Sequence, residues 1–189
     1  MSRNLRSGGL EKVTNRCDEV ALVDDRFNII EPYVSNSNVL DVGCVGTDAT
    51  TELHSRIADH ADEVLGIDIN EELVERLERD DIIVANAEKF VADDRFDTVV
   101  AGELIEHLNS PGDFLSCTAK NLHNDGRLII TTPNSFGYQY FSNRLLGREA
   151  INRNHTCWFD PLTLMQLAER YNFELEELGF LKGVGGIES

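Results

Sequence analysis

The 189-residue chain has few cysteines and no long apolar run. Its four cysteines, Cys17, Cys44, Cys117 and Cys157, are widely separated and form no CxxC pair, which argues against a zinc-ribbon spacing and against a disulfide framework. No segment approaches the roughly 18–20 apolar residues that a membrane-spanning helix needs. The first nine residues also lack the apolar stretch of a signal peptide. The sequence therefore predicts a cytoplasmic protein without membrane insertion.

Basic side chains are scarce as well. The chain has 34 acidic and 17 basic residues and a net charge of −17, and only four of the basic residues are lysine. Such a charge repels phosphate backbones, so no nucleic-acid partner is expected. Many carboxylates with little lysine are typical of proteins from a salt-rich cytoplasm, and a halophilic protein is therefore our hypothesis.

The apolar residues, 41% of the chain, are arranged in short runs that alternate with helical patterns. Strands are predicted at residues 39–42, 63–68, 82–84, 96–101 and 126–132, and helices at 48–60, 71–79 and 114–122. Strands that are apolar throughout are buried on both faces and pair in parallel. We therefore predict an α/β fold, a doubly wound, Rossmann-like, mostly parallel sheet in three α/β/α layers.

The two ends of the chain depart from this alternation of strands and helices. Residues 1–35 are predicted to form an N-terminal helical extension with one or two helices, and residues 36–189 the main domain. Residues 133–160 are long and polar and are predicted to form a lid or insertion. A last helix at 161–171 and a last strand at 173–180 leave room only for a shortened C-terminal strand region. An unpaired sheet edge there predicts a possible homodimer.

A glycine-containing turn and an acidic residue follow the first two strands of the main domain. Gly43 comes directly after the first strand, and Asp68 ends the second strand 25 residues later. Ligands of doubly wound sheets bind at these carboxyl ends, and an acid at about this distance can accept hydrogen bonds from ribose hydroxyls. An NAD-dependent oxidoreductase is one interpretation, but Val45 and Asp48 replace the second and third glycines of GxGxxG.

Five segments in order carry a resemblance to a known family. They are VLDVGC (39–44), GID (66–68), NAE (86–88), FDTVVAGELIEHL (96–108) and GRLIITTPN (126–134). Together they resemble class I S-adenosylmethionine-dependent methyltransferases. The chain is most similar to the small-molecule branch of ubiquinone- and menaquinone-biosynthesis-like enzymes, methyltransferase types 11 and 12.

The resemblance implies S-adenosyl-L-methionine as cofactor and a small-molecule or lipid-like methyl acceptor. It implies these cofactor-binding residues: Asp41, Gly43, Cys44, Gly46, Asp68, Ile69, Ala87, Glu88, Gly102, Glu103 and Leu104. The sequence departs from the family at Val45, where a glycine is usual. A Cβ there disfavours a positive φ, which motivates an alternative function as an inactive methyltransferase-like binding module.

An oxygen acceptor would need a base, and the catalytic candidates are His107 and His155. Glu106 is expected to be a solvated or capping acid, and no metal site is predicted, since His155 and Cys157 alone do not make one. Aromatic residues of the lid either wall an acceptor pocket or pack the lid onto the last helix: Phe136, Tyr138, Tyr140, Phe141 and Trp158. A strip of Arg144, Arg148 and Arg153 is predicted either to bind an anionic small molecule or to face solvent.

Overall fold

The computed structural model describes residues 20–23, 25–46, 49–137, 142–143, 145–147 and 152–181. Several residues of the predicted lid lie outside the described residues: Tyr138, Tyr140, Phe141, Arg144 and Arg148. Cys17 and Asp48 also lie outside them.

Seven strands and five α-helices are described. The strands are β1 (Val20–Val23), β2 (Asn38–Val42), β3 (Glu63–Asp68), β4 (Ile82–Val84), β5 (Phe96–Gly102), β6 (Leu122–Thr131) and β7 (Leu178–Leu181). The helices are α1 (Phe27–Val34), α2 (Glu52–Ala58), α3 (Glu71–Leu77), α4 (Pro111–Asn121) and α5 (Pro161–Glu169), and a short 3₁₀ helix covers Ile105–His107.

The main sheet has five strands in the order β4-β3-β2-β5-β6, and all of its pairings are parallel. Two central strands, β2 and β5, alternate between two apolar cores. Val39 and Val100 pack with α1 and α2 on one face, whereas Leu40 and Val99 pack with α4 on the other. The prediction of a doubly wound, three-layer α/β fold is confirmed.

The N-terminal prediction is right for α1 and wrong for residues 20–23. Val20–Val23 form a strand that pairs in parallel with β7, making a separate two-stranded sheet. Helix α1 buries Phe27, Ile30 and Val34 in the same core as β2 and β5. The boundary at residue 35 remains a prediction, but α1 is packed as part of the main body.

The C-terminal strand is shorter than predicted and starts at Leu178. The preceding segment carries three exposed acids, and one of them, Glu176, accepts a hydrogen bond from Arg127 Nε on β6 at 2.9 Å. Helix α2 also starts late, at Glu52, because Ala49 has a φ of +57° and Gly46 N donates to Thr50 O at 2.9 Å. Within the described residues, no helix has the length and apolar character needed to cross a bilayer.

Candidate functional site

The topology places a crevice at the carboxyl end of β2. The chain leaves β2 towards β3 and β4 on one side and returns to β5 on the other, so the loops after β2 and β5 diverge. These loops meet at Gly43 and Leu104. A Cβ on Gly43 would stand 2.8 Å from Leu104 Cδ1, and Gly43 has a φ of +72°. Both observations favour glycine at the start of this turn.

Asp68 connects the end of β3 to this turn. Its Oδ2 accepts a hydrogen bond from Val45 N at 3.2 Å, and its Oδ1 accepts one from Asn70 N at 2.9 Å. Asn70, not Asp68, is the N-cap of α3, since its Oδ1 accepts from Leu73 N. Each carboxylate oxygen keeps a further lone pair, so Asp68 can still accept hydrogen bonds from a ligand.

Val45 is accommodated without a positive φ. Its side chain packs on a small apolar cluster of Cys44, Val74 and Ile82, which lies between the turn and α3. Among the described residues of the turn, Gly43 and Ala49 have the left-handed conformation instead. The Val45 side chain therefore lies towards α3, while its backbone amide is directed at Asp68.

Two predicted cofactor residues, Asp41 and Cys44, lie beneath the turn. The Asp41 side chain is buried and its Oδ2 is 3.0 Å from His54 Nδ1. Burial raises the pKa of Asp41, and the hydrogen bond with His54 opposes that rise. Burial also raises the pKa of the Cys44 thiol, whose Sγ lies 2.7 Å from the position of a Cβ on Gly66. Both side chains support the turn from the interior of the fold.

His54 was not identified from the sequence. It is fully buried on α2, and its Nε2 lies 3.4 Å from Asp81 Oδ2, while Arg79 Nε donates to Asp81 Oδ1 at 2.8 Å. The resulting chain of polar contacts joins the end of β2 to the start of β4. No spacing rule links His54 to Asp41 or Asp81, and so the sequence carried no signal for it.

The loop after β4 forms another side of the crevice. Glu88 Oε1 accepts a 2.6 Å hydrogen bond from Ser110 N, and Ala87 packs on the main core. Ile69, next to Asp68, is 69% exposed. A large apolar side chain left open beside a carboxylate is suited to cover the flat face of a ligand ring.

Charged groups from two parts of the chain lie near the loop after β5: Arg26 precedes α1, and Glu103 belongs to the loop. Arg26 Nη1 lies 3.9 Å from the position of a Cβ on Gly102, although the sequence had placed Arg26 in a separate extension. Glu103 has a φ of +53°, and its amide donates to Thr131 O at 2.9 Å. The Glu103 side chain is exposed, and the desolvation caused by the surrounding protein, together with the nearby Glu106 carboxylate, raises its pKa.

The expectation that Glu106 is solvated is wrong. Its side chain is 2% exposed, and its Oε2 accepts a hydrogen bond from Thr132 Oγ1 at 2.9 Å. Its Oε1 is buried and has no hydrogen-bond partner among the residues that the structure describes. The 3₁₀ helix after β5, packed against β6, buries a residue type that is usually exposed.

The two histidines predicted as catalytic lie together. The amides of Thr156 and Cys157 donate to the Glu106 carbonyl, which fixes residues 154–157 against the 3₁₀ helix. As a result the rings of His107 and His155 are in edge-to-face contact, with centroids 4.6 Å apart.

The predicted lid has its two ends joined. Asn134 and Phe159 form a parallel bridge, and Ser135 N donates to Phe159 O at 3.1 Å. Phe136 is 79% exposed, and the Trp158 ring centroid is 6.3 Å from that of His155. The lid and the aromatic acceptor pocket remain predictions.

Known proteins resemble the chain in sequence and fold. Residues 18–178 match a family model described as a methyltransferase domain. A "probable S-adenosylmethionine-dependent methyltransferase" of Mycolicibacterium smegmatis is 34% identical over 155 residues, covering 78% of this chain and 56% of that protein. A mitochondrial ubiquinone biosynthesis O-methyltransferase of Dictyostelium discoideum is 28% identical over 158 residues, covering 72% of this chain and 48% of that protein.

A crystal structure from Thermotoga maritima, described as a "SAM-dependent methyltransferase", has a TM-score of 0.63 and 17% identity. The superposition covers 78% of this chain and 69% of the Thermotoga chain. At this identity the similarity supports only the assignment of the fold. The chain spans about half the length of the first two relatives.

Proposed function

Since the chain belongs to the class I S-adenosylmethionine-dependent methyltransferases, we propose that it transfers a methyl group from S-adenosyl-L-methionine to a small-molecule or lipid-like acceptor. One observation carries the proposal. The Asp68 carboxylate accepts a hydrogen bond from the Val45 amide, which lies in the turn that begins at Gly43. This contact joins a glycine turn and a ribose-type acid into one wall at the carboxyl ends of neighbouring strands.

The residues of the crevice fit the parts of this cofactor. Asp68 offers acceptors for two ribose hydroxyls, and exposed Ile69 offers an apolar surface for adenine. Arg26 supplies a cation for the methionine carboxylate, and Glu103 supplies negative charge for the sulfonium. Family membership favours this cofactor over NAD.

Once bound, the cofactor supplies a methyl group on an activated sulfonium leaving group. The protein then has to align the acceptor atom and, for an oxygen acceptor with a high pKa, remove its proton. His107 lies in the 3₁₀ helix that begins directly after Leu104, and the His155 ring contacts the His107 ring. These two histidines are our candidates for the acceptor side.

The test is a turnover assay with a panel of phenolic, lipid-like and amine acceptors. S-adenosylhomocysteine formation is measured by mass spectrometry at a cofactor concentration below saturation, with Asp68→Asn as the control whose turnover should be lower because its cofactor binding is weakened. We expect acceptor-dependent product from the unmodified protein. Binding of S-adenosylhomocysteine without turnover on any acceptor would instead support the inactive binding module.

Two finer proposals concern the salt content of the protein's environment and its oligomeric state. The net charge of −17 supports a salt-rich cytoplasm, and unfolding free energies that fall sharply at low KCl would agree with it.

The position of β6 at the edge of the five-stranded sheet supports a homodimer. Sedimentation showing only monomer at high concentration would contradict the homodimer.

A further inference from the structure

The buried ring of His54 faces a carboxylate with each of its nitrogens. Nδ1 lies 3.0 Å from Asp41 Oδ2, and Nε2 lies 3.4 Å from Asp81 Oδ2. An ionised carboxylate only accepts hydrogen bonds, and a neutral imidazole has a single N–H. The two contacts therefore need two protons: either the ring carries both, or Asp41 carries one and donates it to Nδ1.

The three groups belong to different parts of the fold. Asp41 lies in β2, two residues before Gly43, and His54 lies in α2, which follows the turn. The contact between them joins the strand that enters the turn to the helix that leaves it. Asp81 directly precedes β4, and its carbonyl accepts a hydrogen bond from Gly66 N of β3 at 2.7 Å. The second contact therefore connects α2 to the neighbouring strands.

The His54 ring packs closely on the backbone of β3. A Cβ on Gly66 would stand 2.8 Å from His54 Cε1 and 2.7 Å from Cys44 Sγ. The ring and the thiol of a turn residue thus occupy the space beside the same glycine. A displacement of the ring would consequently act on the turn through Cys44 as well as through Asp41.

Arg79 fixes the charge of Asp81. Its Nε donates to Asp81 Oδ1 at 2.8 Å, and this pairing lowers the pKa of Asp81 to about 2. Asp81 therefore accepts the Nε2 proton of His54, and the other proton lies between His54 and Asp41. Further titratable or charged groups lie near this pair, in the turn, at the end of β3 and before α1: Cys44, Asp68 and Arg26. The Cys44 thiol adds no charge, since burial raises its pKa.

We propose that His54 is a positioning residue, which holds the turn that begins at Gly43 through the proton it shares with Asp41. Loss of that proton would set a nitrogen lone pair against a carboxylate oxygen, and this repulsion is strong inside a protein. The turn would then loosen at its junction with α2. The consequence for cofactor affinity rests on the proposed function, because Val45 and Asp68 form the wall that a nucleoside would meet.

Two substitutions separate the roles of the two ring nitrogens. The amide nitrogen of asparagine reaches about as far as Nδ1, and that of glutamine about as far as Nε2. His54→Asn therefore keeps a donor for Asp41 without a titrating group, whereas His54→Gln keeps the donor for Asp81 alone. His123→Asn, at an exposed histidine of β6, is the matched control. Circular dichroism checks the folding of each variant.

The first measurement needs no ligand. Amide hydrogen exchange, followed by NMR and corrected for intrinsic rates, reports the protection of Gly43 and Val45, which donate to Ile67 O and to Asp68. We expect His54→Gln to lower both protection factors by about tenfold or more, while His54→Asn and His123→Asn retain most of the protection.

A pH series on the unmodified protein tests the shared proton directly. The pH is raised until ¹⁵N NMR of the His54 ring reports loss of one proton. Protection of Gly43 and Val45 should fall at that same pH, and no such fall should occur in His54→Asn. Because this series uses the unmodified protein, it decides the question even where a variant does not fold.

Calorimetry with 5′-methylthioadenosine measures the effect on binding. This nucleoside lacks the amino-acid part of the cofactor, whose own ionisation would alter the pH profile. His54→Gln should bind it about tenfold more weakly than the unmodified protein, and His54→Asn should bind it with an affinity closer to that of the unmodified protein. The affinity of the unmodified protein should fall with loss of the shared proton.

Protection and affinity that are equal in His54→Gln and the unmodified protein would overturn the proposal, as would loss of the ring proton without loss of protection. Failure of the proposed function is distinguishable from these results. Loss of protection in His54→Gln, in a protein that binds neither 5′-methylthioadenosine nor S-adenosylhomocysteine, would support the positioning role and contradict the methyltransferase proposal. Methyl transfer with protection and affinity unchanged in His54→Gln would do the reverse.

Discussion

The backbone amide of Val45 donates a hydrogen bond to the Asp68 carboxylate at 3.2 Å. The resemblance to the methyltransferase family led us to expect glycine at position 45. The Val45 side chain packs towards α3, and its amide is directed at the acid. The contact spans the loops after β2 and β3, whose strands are hydrogen-bonded neighbours. A bound nucleoside would therefore meet a turn and an acid that are already held together.

Asp68→Asn should weaken S-adenosylhomocysteine binding by about 2 kcal/mol, or roughly 30-fold. An amide has a single acceptor oxygen, so it cannot serve both backbone donors and the ribose hydroxyls. Isothermal titration calorimetry measures the change. Asp80→Asn, at an exposed acid, is the control and should bind as the unmodified protein does. Equal affinities for all three proteins would remove Asp68 from the site.

Gly43→Ala should destabilise the fold by about 1–3 kcal/mol, because it combines a positive φ with overlap against Leu104. Gly147→Ala is a matched control, since Gly147 has a φ of +65° but no atom of the described residues lies within 4 Å of its Cβ position. Urea unfolding should give a smaller loss for Gly147→Ala.

A Leu104→Ala background tests the contact itself. It should reduce the cost of Gly43→Ala by more than about 0.5 kcal/mol, the size expected for coupled neighbours. An unchanged cost would show that the loops after β2 and β5 do not meet at these residues.

Arg26→Gln should weaken S-adenosylhomocysteine binding by about 1 kcal/mol, or roughly fivefold. The same change should not affect binding of 5′-methylthioadenosine, which lacks the amino-acid carboxylate. Arg170→Gln, at an exposed arginine, serves as the control. Similar losses for both ligands would mean that Arg26 acts on the fold and not on the carboxylate.

The ionisation of Asp81 makes the free energy of unfolding depend on pH. The hydrogen bonds from Arg79 lower the pKa of Asp81 from 3.8 to about 2. A carboxyl group whose pKa is lower in the folded state stabilises the fold at pH values above its unfolded pKa. This stabilisation is lost as the pH falls from about 4 to about 2. With the side chain 33% exposed, screening reduces the gain to about 1 kcal/mol.

Asp81→Asn should therefore cost about 1 kcal/mol at pH 7, and this difference should narrow as the pH is lowered from 5 towards 2.5. Urea unfolding of the two proteins across that range measures it, with Asp80→Asn as the control. A difference that is independent of pH would assign the cost to packing.

The sheet could be predicted from the sequence because each buried strand is a short apolar run ended by a turn. The residues at Val20–Val23 form an equally apolar run, but periodicity over four residues does not separate a strand from a helix. Their structure is set by pairing with β7 near the other end of the chain, which local sequence does not encode.

The candidate site was predicted only where a motif gives a residue's position. Gly43 and Asp68 follow strands at a familiar spacing, whereas Arg26 reaches Gly102 by tertiary packing. Glu106 was expected in solvent because glutamate is rarely buried. Its burial depends on contacts with Thr132 and with residues 156–157, distant in sequence.

The most direct test of cofactor binding is calorimetric titration of the unmodified protein with S-adenosylhomocysteine, with NAD titrated in parallel. The account predicts one saturable binding event per chain for S-adenosylhomocysteine and none for NAD. A folded protein that gives no binding signal with S-adenosylhomocysteine would contradict it.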